Sequence, residues 1–428
     1  SDLASQMLLA LPGMTIDLAD AILDWLDEDD VAREYGAEFD DYYGTLPSPY
    51  RPKNGPINSI EQLLLVRGVT PQLLFGFDSD RNGILSDEES SQMGLGGQAG
   101  STGAGMDAAQ AEPPPLGWAP YLTIHSMEKN VTRLGDARVN INGDDLTALY
   151  DELIAVLGDE TAASFIVAYR QFGVSGGGTT SPLVTLAAMA AEDADPDGAI
   201  GAQLDALSDL SAAGAAGGGA PPQPWSADMI ASVDMSKGGS VQFGQVLDLF
   251  DATVTIQQGN SQVEFASPFS SDPGALALAT PLLMEWLTTV DAPGLPGRIN
   301  IMTCPHEILR GIPGLTDDIV DQILEARLDG SDSETRFYET WLAVEGYVTM
   351  EQMRAILPLV TCGGDVFKAQ IVGYMEGSAM SGRIEAIVSG VEDVPKVLFF
   401  RRLDRLGRGA DVTTLGQRFD ATVPGGSL

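Results

Sequence analysis

Histidine, cysteine and basic residues are scarce in this chain. There are two histidines, His125 and His306, and two cysteines, Cys304 and Cys362. None stands at a ligand spacing, so a zinc site is excluded. The two thiols leave two arrangements open, a disulfide or a pair of buried free thiols. Lys and Arg number 23 against 61 Asp and Glu, a formal charge of −38. That balance argues against a nucleic-acid partner, whose phosphates are held mainly by Lys and Arg, and against anionic membrane surfaces. It suits divalent cations, or simply solubility. No apolar run reaches the ~18 residues of a spanning helix, and no signal peptide is visible. Neither histidine has a convincing nucleophile nearby, and no glycine-rich phosphate cradle follows a strand. The chain therefore does not read as an enzyme.

The 428 residues suffice for two or three domains with real cores. Residues 298–327 set the pattern. An extended piece at 299–301 leads to Thr303, expected as a helix cap, with Pro305 just inside the helix. That helix is expected to end at Gly311. Pro313, Gly314, Leu315 and Thr316 form the turn, and Ile319, Val320, Ile323 and Leu324 line one side of the next helix. This spacing predicts a helix-hairpin-helix unit. Residues 11–23 align with 312–324 at one offset, and Arg138, Val139, Asn140 and Ile141 match Arg298, Ile299, Asn300 and Ile301. A looser copy runs through 57–70. The chain is built largely from short helix pairs.

Composition divides the rest. Residues 1–92 form an acidic helical part, with helices expected at 17–27 and around Leu63, Leu64 and Leu65 behind the cap Ser59. Residues 93–117 are a Gly/Ala/Ser/Pro linker. Residues 118–295 are a helical part with low-complexity insertions. It includes a short strand at 121–125, helices at 144–157, 160–171 and 276–287, and a helical or mixed stretch at 243–250. Residues 296–360 carry the helix-hairpin-helix part. Residues 361–428 form a C-terminal antiparallel meander and tail, with strands at 366–374, 383–388 and 396–401. A large helical part closed by a small sheet is α+β.

The sharpest chemical motif lies at 78–89. Asp78, Asp80 and Asn82 supply oxygens at positions 1, 3 and 5 of an EF-hand loop. Gly83 makes the turn, and Ile84 offers its carbonyl at position 7. Ser86 acts through water at position 9, and Glu89 closes the shell at position 12. Hard oxygens at this spacing predict calcium. Asp193, Asp195 and Asp197 begin a similar loop, but Leu204 stands where the bidentate ligand belongs. A further acidic group, Asp27, Asp29, Asp30, Glu38 and Asp41, offers a possible second metal site across a loop.

Taken in order, several motifs resemble one family, the K-type minor pseudopilins of type II secretion systems. The resemblance rests on Leu18, Ala19, Asp20, Ala21, Ile22, Leu23, Asp24, Trp25, Leu26 and Asp27, followed by Asp29 and Asp30. Gly36, Ala37 and Glu38 follow, with Asp41, Tyr42 and Tyr43. Pro49, Tyr50, Arg51, Pro52, Lys53, Asn54, Gly55 and Pro56 come next. Glu61 to Leu65, Val66 to Pro71, Pro120 to Thr123 and the two Arg-(Val/Ile)-Asn-Ile openings complete it. It spans roughly 10–75, 118–172 and 296–405. It implies a pilin-like fold, a small antiparallel sheet with a large inserted helical domain. It also implies a place at the tip of the pseudopilus beside the I-type and J-type minor pseudopilins, without a closed homo-oligomer. The implied location is the bacterial periplasm. Anchoring in the inner membrane would come only from a hydrophobic N-terminal helix that this sequence lacks; its first residues already read as folded chain. Calcium in the helical domain is implied as well. A periplasmic place favours a Cys304–Cys362 disulfide. The competing reading of the same loop is a calcium-dependent extracellular binding or adhesive module.

Overall fold

Caps, turn glycines and short apolar periods give short helices and small sheets. The computed structural model describes residues 2–91, 115–174, 221–258, 261–329, 334–375 and 380–410. The architecture is α+β. The chain divides into two units, Ser1–Ala10 with Ser126–Asp365, and Leu11–His125 with Val366–Leu428. The acidic first part and the C-terminal meander thus share one unit. Among the described residues no helix is long and apolar enough to cross a membrane.

The first unit is mainly helical. Asp145 starts the Leu146–Leu157 helix by accepting from the N–H groups of Thr147 and Ala148 at 3.0 Å. Asp159 does the same for Glu160–Phe172 through Thr161 and Ala162. Each cap satisfies donors that the first turn leaves orphaned. Leu146, Leu149 and Leu153 fall on the buried side and pack into a core with Phe165, Tyr169 and Trp341. The two Arg-(Val/Ile)-Asn-Ile copies adopt one arrangement. Val139–Asn140 pairs in parallel with Leu287–Thr288, and Ile299–Asn300 with Val360–Thr361. In each, the asparagine Oδ1 accepts from the N–H two residues on, and the following isoleucine is fully buried. The His306–Arg310 and Asp317–Leu328 helices are joined by the expected turn, and Thr316 Oγ1 accepts from the Ile319 N–H. Pro305, not Thr303, stands at the first cap, because its extended backbone lies just before the first helical residue.

In the second unit, the Ile16–Leu26 helix buries Ala19, Ile22 and Trp25, and Trp25 packs edge-on against Tyr43 and Tyr50. Thr70 caps Pro71–Phe75. Trp118 and Ala119 donate from their N–H groups to the carbonyls of Leu73 and Leu74. This close approach needs Gly117, at φ +66°, since a Cβ there would lie 2.5 Å from the Leu74 carbonyl oxygen. Val366–Tyr374, Ser381–Ser389 and Lys396–Arg402 form an antiparallel sheet in that order, with a bulge at Ile387/Val388. Alternation gives it two unlike faces. Phe367, Ile371 and Phe400 are exposed on one; Arg383 and Glu385 are buried on the other.

Two local expectations fail. Residues 121–125 alternate in polarity but form no strand; the nearest strand is Met127–Lys129, paired with Gly294–Pro296. Alternation makes a strand only where a neighbouring strand takes up its backbone groups, and here the Tyr121 N–H donates to the Trp118 carbonyl. The helix behind Ser59 is a 3-10 segment, Ile60–Leu65, without a side-chain cap bond. The next helix restarts at Pro71, which leaves little length for an α-helix. The loop beginning at Asp193 lies outside the described residues.

Candidate functional site

The 78–89 segment closes on itself around three carboxylates. One ligand oxygen each from Asp78, Asp80 and Glu89 fall within 4.8 Å of one another. Gly83, at φ +80°, makes the turn that returns its own N–H to Asp78 Oδ2 at 2.8 Å. The Asn82 N–H donates to Asp78 Oδ1 and Asp80 Oδ1, both at 3.0 Å. Ser86 and Glu89 form a reciprocal cap for the helix at 87–91: the Ser86 N–H donates to Glu89 Oε2, and the Glu89 N–H to Ser86 Oγ. Ser79 donates to Glu89 Oε1 from both its N–H and its hydroxyl at 2.8 Å. Glu89 is thereby aimed back across the loop toward Asp78 and Asp80. Arg81 turns away, its guanidinium lying 3.9 Å over the Phe75 ring and 3.7 Å from Glu61.

Charge follows from these contacts. Burial would raise the Glu89 carboxyl, but its hydrogen bonds from Ser86 and Ser79 outweigh burial and carry it to about 2. Burial, then the Glu89 charge, pushes Asp80 up. Asn82 Oδ1 accepts from the Ile84 N–H, and the Ile84 side chain is exposed. Hard oxygens converge here with two buried carboxylates, Asp78 and Glu89. This donor set fits calcium rather than a softer metal.

The second acidic group is arranged differently. Asp29 Oδ1 accepts from the Val31 N–H, and Asp41 Oδ1 from the Glu38 N–H. Asp29, Asp30 and Asp41 are exposed, and the five residues do not converge as the loop carboxylates do. Their centre is Glu38, 1% exposed, whose two carboxylate oxygens have no hydrogen-bond partner among the described residues. Asp27 Oδ1 and Asn54 Oδ1 are likewise buried and unpartnered. Burial, then the Asp24 charge, raises the Glu38 carboxyl to about 7. Buried oxygens of this kind call for a partner; Asp27 and Glu38 belong to the acidic group read in the sequence, and Asn54 does not. Asp24 was missed because its motif role looked like helix packing. It is fully buried and accepts the N–H groups of Arg33 and Ala37, which folds the acidic loop back onto the helix. Asn54 was missed although it sits in a turn. Its positive φ of 42° and its Nδ2 donation to the Asp29 carbonyl and Asp30 Oδ1 tie that turn to the acidic loop.

Cys304 and Cys362 are free thiols, so the expected disulfide is not formed in this structure. The two segments are near neighbours, since the Asn300 Nδ2 donates toward the Cys362 carbonyl and the Cys304 N–H to the Asn300 carbonyl. The Cys304 sulfur, however, is engaged by Arg327 Nη2 at 3.4 Å.

Residues 3–75 match the family model described as Type II secretion system (T2SS), protein K. No curated protein and no solved structure matches the chain. The matched stretch contains the Ile16–Leu26 helix, the Glu38 centre and the Asn54 turn. Over that stretch the chain is similar to protein K of type II secretion systems.

Proposed function

We propose that this protein is a minor pseudopilin at the tip of the type II secretion pseudopilus. There it joins the I-type and J-type minor pseudopilins of the same system, and starts or caps the fibre that drives protein export. The observation that carries the reading is the protein K match over residues 3–75. A tip position asks for one non-repeating subunit held through unlike surfaces, and a charge of −38 per chain opposes self-association. The place of action is the bacterial periplasm, with inner-membrane anchoring in a longer form of the chain. The role is structural rather than enzymatic.

Calcium belongs to the same reading. Asp78, Asp80, Asn82, the Ile84 carbonyl, Ser86 and Glu89 would hold one ion. Glu38, Asp27 and Asn54 would hold a second. Binding to the folded state alone adds stability that grows with free calcium, which suits a subunit working outside the cytoplasm.

Co-expression with the I-type and J-type pseudopilins of the same operon, followed by affinity capture of this chain, tests the reading. A heteromeric complex of the three is expected. A chain that stays alone, or that sediments as a stable symmetric homodimer at micromolar concentration, contradicts it.

A further inference from the structure

We propose that Asn82 is a bridge. Its amide oxygen serves the calcium loop while its amide nitrogen holds the C-terminal segment, so that ion binding at 78–89 orders the end of the meander. The inference rests on the calcium reading of that loop and extends it to residues about 300 positions away in the chain.

Four hydrogen bonds outside the acidic cluster carry the idea, three of them made to the loop itself. Asn82 Nδ2 donates to the Gly409 carbonyl at 2.7 Å. Gln370 Nε2 donates to the Arg81 carbonyl at 2.7 Å. Arg383, 1% exposed, donates from Nη1 to the Asp80 carbonyl at 2.8 Å, and from Nη2 to Gln370 Oε1 at 2.6 Å. The main chain of three consecutive loop positions, 80 to 82, is thus reached or flanked from the sheet and from the segment after it. That segment is itself fixed to Arg383: the Leu403 N–H donates to the Arg383 carbonyl, and the Arg383 N–H to Asp404 Oδ1.

Residue type supports the assignment at both ends. Position 5 of such loops takes Asp or Asn as a ligand equally well. Only Asn can ligate with oxygen and also donate to a carbonyl. At the other end, a Cβ on Gly409 would fall 2.3 Å from the Arg383 guanidinium, and its φ of +70° is one that side chains avoid. Glycine is what lets this carbonyl lie beside both Arg383 and Asn82.

When the ion takes the Asn82 oxygen, the side chain is fixed and its nitrogen stays on Gly409. Without the ion, the amide is held at its oxygen by the Ile84 N–H alone. Calcium should therefore slow local opening of 403–410 as well as of the loop.

The test pairs calcium calorimetry with amide hydrogen exchange on the whole chain, for the wild type and Asn82→Asp. In the wild type, calcium is expected to slow exchange both in the loop and at 403–410. Asn82→Asp, which keeps an oxygen at position 5, is compared at saturating calcium as fixed by its own calorimetry, where the loop is expected to be protected. At 403–410 its calcium-dependent slowing should be about fivefold weaker, the worth of one hydrogen bond. Calcium binding with protection confined to the wild-type loop overturns the bridge while leaving the calcium site standing. Equal protection of 403–410 in both proteins also overturns it. No calcium binding by the wild type overturns both.

Discussion

In the 78–89 loop every carboxylate oxygen of Asp78, Asp80 and Glu89 accepts a hydrogen bond. Around Glu38, some forty residues earlier, both carboxylate oxygens and one each from Asp27 and Asn54 accept none. The two centres lie in one unit, and the calcium reading covers both. They differ in what the chain supplies without an ion. The loop is preorganised by its own serines and turn amides, so an ion adds to a shape already held. The Glu38 centre is assembled by neighbours such as Asp24 and Ala37 while its own acceptors stay empty. Each orphaned acceptor costs roughly 1–3 kcal/mol, so ion removal should weaken this centre more.

Acid sharpens the comparison most. Glu38 takes up its proton near pH 7 when folded, against 4.5 as its ordinary value. Between those values the folded chain binds more protons than the unfolded one. The Glu38 contribution to ion-free stability therefore falls as pH rises from about 4.5 to about 7, by roughly 3 kcal/mol. Urea unfolding of the chelated protein at pH 5 and pH 7.5 should show this fall in the wild type and a flatter profile in Glu38→Gln. Equal profiles would mean that Glu38 is not held as described.

Glu89 should respond with the opposite sign. Its folded value of about 2 lies below the ordinary 4.5. Its stabilisation is present above pH 4.5 and is lost as pH falls toward 2. At neutral pH Glu89→Ala leaves the donors of Ser79 and Ser86 without their acceptor, which should cost about 2 kcal/mol even under chelation. A thermal melt of the chelated variant checks this, and an unchanged midpoint would show that the loop is not preorganised.

The smallest effect expected is that of Ser86→Ala. It removes one half of the reciprocal cap on 87–91 and should cost about 1 kcal/mol. It should leave the Glu38 centre unaffected, since the two centres share no side chain. A change in the pH profile assigned to Glu38 would break the separation between them.

The difference between the centres also marks what could be read from the sequence. The loop is local: twelve residues contain the carboxylates, the turn glycine and the cap, so spacing alone points to all of them. The helices expected at 144–157 and 160–171 and the three meander strands were legible for the same reason, each depending on near neighbours in the chain. At the Glu38 centre the unpartnered oxygens belong to Asp27, Glu38 and Asn54, which lie in three separate stretches of the chain. Spacing pointed to Asp27 and Glu38 together with Asp29, Asp30 and Asp41, but not to Asn54; Asp29 and Asp41 satisfy main-chain N–H groups close by in the chain. Arg383 and Gly409 reach the loop from the far end of the sequence, where no local pattern marks them. Residues 121–125 show the converse limit, since a strand-like alternation has no meaning until a partner strand lies beside it.

Calorimetric titration of the chelated protein with calcium tests the account most directly. Two binding events per chain are predicted, one removed by Glu89→Ala and the other by Glu38→Ala. A wild-type chain that takes up no calcium, or a Glu89→Ala chain that binds as the wild type does, would contradict it.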